Sequence, residues 1–145
     1  MTLEAGALAP DFPALAAARG KNVIVYFYPK DDTPGCTKEA CAFQDSLPDF
    51  SGADAVVIGV SKDSEASHDK FKKKYGLDFT LVSDSNGAIC DAYGVWVEKL
   101  NYGKKYMGIE RSTFLIDKSG VLRQAWRKVK VDGHAGKVLE ALKAL

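Results

Sequence analysis

The sequence predicts an α/β fold in one domain, residues 1–145: a mixed central sheet flanked by helices. Three observations carry that expectation. Residues 23–28 (VIVYFY) and 55–60 (AVVIGV) are short β-branched and aromatic runs, apolar on both faces as central strands are. Between them lies a stretch of helical spacing, so the three form a βαβ unit whose parallel crossover is right-handed. Further along, residues 112–117 (STFLID) and 121–129 (VLRQAWRKV) flank Lys118-Ser119-Gly120, the mark of an antiparallel hairpin. Parallel units followed by a hairpin make the sheet mixed.

Taken in order, the first strand runs into Pro29. Cys36, Ala40, Phe43 and Leu47 then fall at i, i+4, i+7 and i+11 of a helix that Pro48 is expected to close. After the second strand, residues 64–75 carry Ala66, Phe71 and Tyr75 among lysines and aspartates, with Gly76 as a stop, which reads as a surface helix. Residues 79–82 read as a third, short strand and 86–93 as a short helix. The hairpin follows, and Ala135, Val138, Leu139 and Leu142 at i, i+3, i+4 and i+7 form the last helix. The predicted order is β-α-β-α-β-α-β-β-α.

Composition narrows the function classes. A chain of 145 residues, 46% hydrophobic and 27% charged, is an ordinary globular domain that needs no disulfide or metal to hold its core. Twenty basic against 19 acidic residues give a net charge of +1, without the electrostatic footprint of a nucleic-acid or membrane-surface binder. No signal peptide and no membrane-length apolar run is read. Three cysteines are too few and too odd a count for a secreted disulfide framework, which points to the cytoplasm. There each cysteine is a buried filler, a metal ligand or a reactive thiol.

The informative stretch is Pro29-Lys30-Asp31-Asp32-Thr33-Pro34-Gly35-Cys36, at the carboxyl end of the first strand, where open α/β sheets place their sites. Thr33 followed by Pro34 starts a helix: threonine can cap, and proline fits the first helical position. Cys36 then lies in the first turn, where free N–H groups and the helix dipole favour an anion, and the thiolate is the nucleophilic form of cysteine. Cys36 also heads the apolar stripe, so spacing alone allows a core cysteine; its place at the helix start favours reactivity. Cys41 follows five residues later, rotated by ~140° and advanced ~7.5 Å along the axis, which separates the Cα atoms by ~8.7 Å. A disulfide needs less than ~7 Å, so the two are either unrelated or a redox pair that must unwind the helix to bond. The spacing lacks the second pair of a zinc site and is not Cys-x-x-Cys. No metal or organic cofactor is called for. Cys90 is expected to face the core of its short helix, and Trp96, Tyr102 and Tyr106 to line a pocket rim or merely pack.

The string YPKDDTPGCTKEAC resembles the active-site signature of the peroxiredoxins, and in particular of the bacterioferritin comigratory protein, or Q-type, subfamily. Ala9-Pro10-Asp11-Phe12, the block from Tyr93 to Trp96, the block from Met107 to Asp117 and the block from Val129 to His134 are similar to further family segments in the same order. The resemblance implies a thioredoxin-like fold and a thiol peroxidase acting on hydrogen peroxide and organic hydroperoxides. It matches Cys36 to the peroxidatic cysteine, Thr33 to the hydroxyl that bonds peroxide and thiolate, and Pro29 to the proline that shields the site. Arg111 matches the site arginine and Cys41 the resolving cysteine, with thioredoxin as reductant. An intramolecular pair suits a monomer, and near-neutral charge does not oppose a dimer. A general thiol–disulfide oxidoreductase and a non-enzymatic redox sensor are the alternatives; the absent Cys-x-x-Cys counts against the first.

Overall fold

A computed structural model of the chain describes residues 3–145. In chain order its elements are α1 (Pro13–Ala17), β1 (Asn22–Phe27), α2 (Pro34–Asp45), α3 (Leu47–Gly52), β2 (Ala55–Ser61), α4 (Glu65–Tyr75), β3 (Thr80–Ser83), α5 (Ala88–Ala92), β4 (Trp96–Asn101), β5 (Lys104–Ile109), β6 (Ser112–Ile116), β7 (Leu122–Trp126) and α6 (His134–Lys143). The main sheet runs β3-β2-β1-β6-β7. β1–β2 and β2–β3 pair in parallel, while β1–β6 and β6–β7 are antiparallel. The predicted mixed sheet is therefore present, with β1 at its centre.

Side chains alternate across a strand, and β1 divides its own accordingly. Ile24 and Tyr26, with Tyr28 just beyond, enter one core with Phe43 of α2, Phe50 of α3, Phe71 of α4 and Val138 of α6. Val23, Val25 and Phe27 enter the other with Leu15 of α1, Cys90 of α5, Tyr93 and Phe114. A strand buried on both faces shows no polar alternation, which is why VIVYFY reads as central. α4 stops as predicted at Gly76, which turns left-handed at φ +64°, and starts one residue later than expected, with the Ser64 hydroxyl capping it by accepting from the Ser67 amide at 3.1 Å.

Four features depart from expectation, the first being the short helix α1 ahead of the first strand. Pro48 does not close α2; that helix ends at Asp45, and Pro48 lies in the first turn of α3, where its missing N–H costs nothing. The last hairpin strand stops at Trp126, because Lys128 turns left-handed (φ +50°) and the Val129 amide donates to the Arg111 carbonyl at 3.0 Å. β4 and β5 form an unpredicted separate hairpin turned by Tyr102 and Gly103, at φ +51° and +78°.

Candidate active site

The site lies where β1 hands over to α2. Thr33 is the extended residue before the helix (φ −95°, ψ 155°), Pro34 is in the first turn, and Cys36 is its third residue. The Thr33 hydroxyl does not cap the helix as expected. It donates instead to the Lys30 carbonyl at 2.9 Å, closing the loop on itself. Cys36 is 1% exposed and belongs to the aromatic core. It is thus both of the things its spacing allowed, a member of the apolar stripe and a first-turn thiol. Pro29 lies exposed on the loop that leads to it.

Arg111, in the short link between β5 and β6, lies beside the helix start, because the next residue, Ser112, pairs with Phe27 at the carboxyl end of β1. Its Nη2 donates to Cys36 Sγ at 3.3 Å and its Nη1 to Glu39 Oε1 at 2.8 Å. One fork of rigid donors therefore holds both the sulfur and a carboxylate one helical turn further on. Gly35 makes room for it, since a Cβ there would stand 3.2 Å from Nη2. Glu39 is 1% exposed, and its Oε2 is buried without a hydrogen-bond partner. Burial pushes its carboxyl up to about 7, against the opposing pull of Arg111.

The other two thiols differ sharply. Cys41 is half-buried on the same helix, and burial together with the nearby Asp45 carboxylate pushes its thiol up. Cys90 is fully buried, and burial with the Asp84 carboxylate pushes its thiol far above the ordinary range, which disfavours the nucleophilic thiolate. All three are free. Of the aromatic candidates, Trp96 packs under the Lys62 ammonium at 4.1 Å, Tyr106 is half-exposed on β5, and Tyr102 stands out at the hairpin tip, 98% exposed. A cavity of about 300 Å³ lies at the opposite end of β1, lined by Leu15, Arg19, Val23, Ile116 and Asp117 among others, and takes no part in this chemistry.

Residues 10–125 match the profile of the AhpC/TSA family. The chain belongs to that family. It is 53% identical to a putative peroxiredoxin Bcp of Coxiella burnetii, over 98% of this chain and 100% of the relative. It is 51% identical to peroxiredoxin Bcp of Bacillus subtilis, over 99% and 97%. Among solved structures, the bacterioferritin comigratory protein of Xanthomonas campestris, described for alkyl peroxide reduction, superposes with a TM-score of 0.86 at 55% identity, over 90% of this chain and 83% of that one. The chain is accordingly a peroxiredoxin, an enzyme of the peroxidase class with the thioredoxin-like fold, and its similarity is to the Bcp or Q branch.

Glu39, bonded to the same guanidinium as Cys36, was not among the residues the sequence singled out. The available signal was its place three residues after Cys36, on the same helix face.

Proposed function

We propose that Cys36 is the peroxidatic thiol, that Cys41 resolves it, and that the substrates are hydrogen peroxide and organic hydroperoxides, alkyl peroxides included. The observation that carries this reading is the Arg111 guanidinium donating to Cys36 Sγ in the first turn of α2. The guanidinium is a fixed donor at that sulfur, and the thiolate is the form of cysteine that attacks peroxide. The thiolate attacks one peroxide oxygen, and the O–O bond breaks as the S–O bond forms. Cys36 becomes a sulfenic acid, and the other oxygen leaves as alkoxide or hydroxide and takes up a proton. Arg111 donors, with the Thr33 hydroxyl swung from the Lys30 carbonyl, stabilise charge arriving on the leaving oxygen. Pro29 limits water at the loop.

Resolution demands a change of shape. Both sulfurs sit on one intact helix, and helical geometry holds their Cα atoms ~8.7 Å apart. The first turns of α2 must unwind before Cys41 can attack. Unwinding also brings Cys41 into water and removes the burial that pushes its thiol up, so approach and activation come together. Attack expels water from the sulfenic acid and leaves a Cys36–Cys41 disulfide, which a dithiol reductant of the thioredoxin type reopens by exchange. The cycle needs no second copy of the chain, which favours a working monomer. Three free thiols suit a reducing cytoplasm.

The test is a peroxide-consumption assay coupled to thioredoxin and its reductase. Cys36→Ser should abolish turnover, and Cys41→Ser should react once and then stall or over-oxidise. Retained turnover in Cys36→Ser would defeat the assignment.

A further inference from the structure

The loop that delivers Cys36 is bolted to α4 by a buried polar cluster. Asp31 and His68 are both nearly inaccessible. His68 Nδ1 lies 2.7 Å from Asp31 Oδ2, and His68 Nε2 lies 3.0 Å from the Val82 carbonyl of β3. Asp31 Oδ1 accepts from the Tyr28 hydroxyl at 2.5 Å, and Oδ2 also accepts from Ser67 at 2.8 Å. The Asp31 amide donates to Asp63 Oδ2 at 2.9 Å, which also accepts from Ser61 at 2.7 Å. Next in the chain, Asp32 is a left-handed non-glycine residue (φ +57°), held so by Lys74 at 2.8 Å and Tyr75 at 2.6 Å on its carboxylate. Ligand atoms of Asp31, Asp63 and His68 lie within 4.8 Å of one another, yet internal bonds already use them, which makes the cluster a strap and not a metal centre.

The partners of His68 decide its charge. A carbonyl and an ionised carboxylate can only accept, and a neutral imidazole has one N–H for two such partners. Only the imidazolium satisfies both. Burial alone would lower the pKa of His68, but the bond and charge of Asp31, the Val82 carbonyl and the Asp63 charge raise it above the ordinary value. Burial would likewise raise Asp31, but bonds from His68, Tyr28 and Ser67 hold it low. The groups facing the ring are thus Asp31 from the loop after β1, Asp63 from the loop before α4, Val82 of β3, and the Tyr28 phenol, which burial and Asp31 keep protonated.

We propose that His68 is a positioning residue for the peroxide reaction: its buried imidazolium fixes Asp31, Asp31 fixes the loop that aims Thr33 and Cys36, and loss of the imidazolium proton at alkaline pH frees that loop. This rests on the reading of Cys36 as the peroxidatic thiol. The sign follows from the raised pKa of His68. The strap is fully held below the ordinary histidine pKa of about 6.5 and is lost as pH rises through the higher folded value.

Two measurements on the reduced protein test it. Nitrogen-15 spectra of the imidazole should show both ring nitrogens of His68 protonated at pH 7, with titration at higher pH; a neutral ring at pH 7 overturns the proposal. The rate of Cys36 oxidation by hydrogen peroxide, divided by its rate of alkylation by iodoacetamide, corrects for thiolate fraction and access. That ratio should fall through the same pH interval in the wild type. In His68→Gln it should be lower by roughly tenfold or more at pH 7, as for a small misplacement of reacting groups, and should lose the alkaline fall. Should His68→Gln not fold, the wild-type ratio decides alone. A ratio flat through the His68 titration overturns the positioning role and leaves the peroxidase reading standing. A Cys36 inert to peroxide at every pH takes down both.

Discussion

Replacing Glu39 by glutamine separates the charge of this carboxylate from its shape. The carboxyl is 1% exposed, pairs through Oε1 with Arg111 Nη1 at 2.8 Å, and leaves Oε2 buried and unpartnered. Burial pushes it from an ordinary 4.5 up to about 7. A carboxyl raised on folding binds its proton more tightly when folded. Its ionisation therefore erodes stability as pH rises from the unfolded value through the folded one, and the loss is constant above that. At about 1.4 kcal/mol per tenfold change in proton affinity, the loss between pH 4.5 and 8.5 is about 3 kcal/mol, an order-of-magnitude figure.

Glutamine keeps the acceptor for Arg111 and mimics the protonated acid, with a donor in the place of the unpartnered oxygen. Leaving that donor unsatisfied costs ~1–3 kcal/mol, but the protonated glutamic acid bears a like cost, and neither depends on pH. The expected result is a Glu39→Gln protein about as stable as wild type at pH 4.5, and up to about 3 kcal/mol more stable at pH 8.5. Urea unfolding of both reduced proteins at the two pH values measures it. A stability difference that does not change with pH, or one that turns against glutamine at pH 8.5, would refute the claim that Glu39 is held as a strained buried charge.

Three more outcomes are expected. Phe43→Ala should destabilise by ~3–5 kcal/mol in urea unfolding, because this fully buried ring stacks on Tyr26 at 4.7 Å and meets Phe50 at 5.9 Å. Arg111→Lys should slow Cys36 oxidation by about 10²–10³-fold in stopped-flow fluorescence, since one ammonium cannot serve both Sγ and Glu39 as the fork does; a rate within twofold of wild type would remove Arg111 from the reaction. Oxidation by one equivalent of peroxide should strip amide protection from residues 34–41 while Phe43 and its neighbours keep theirs; equal protection in both redox forms would end the unwinding argument.

What was legible in the sequence and what was not divides along physical lines. β1 was readable because burial on both faces leaves an unbroken apolar run. α4 was readable because both of its ends carry residues that stop a helix, a serine that caps and a glycine that turns left-handed. The β4–β5 hairpin was not, because solvent bathes most of it and erases the period of two, and because Tyr102-Gly103 is not a recognised pairing for a turn with both residues left-handed. Pro48 misled because proline ends one helix and begins another with equal ease. Cys36, Thr33 and Arg111 were visible as motif residues. Glu39 and His68 looked like ordinary polar residues on helix surfaces. Their burial is created by partners distant in sequence: Arg111 lies 72 positions beyond Glu39, and Asp31 lies 37 positions before His68.

Those distant partners make the two ends of the α2 segment mechanically unequal. Upstream, the loop at residues 28–33 is tied to α4 by Ser67, His68, Lys74 and Tyr75. Downstream, Phe43 is locked among Tyr26, Phe50 and His134. Between these anchors, the first turns are held by the Arg111 fork and by an exposed ion pair of Lys38 with Asp132. That exposed pair contributes little, since surface ion pairs are worth ~0–1 kcal/mol. The groups that would enter water on unwinding are also those whose ionised forms burial disfavours, Glu39 and Cys41. Their rehydration offsets part of the lost packing, chiefly that of Cys36 and Ala40. Unwinding confined to this stretch thus costs less than the same opening elsewhere in α2. On the proposed cycle, the fold holds Cys36 for attack on peroxide and leaves the stretch between the two sulfurs to the Arg111 fork, one exposed ion pair and the packing of small side chains.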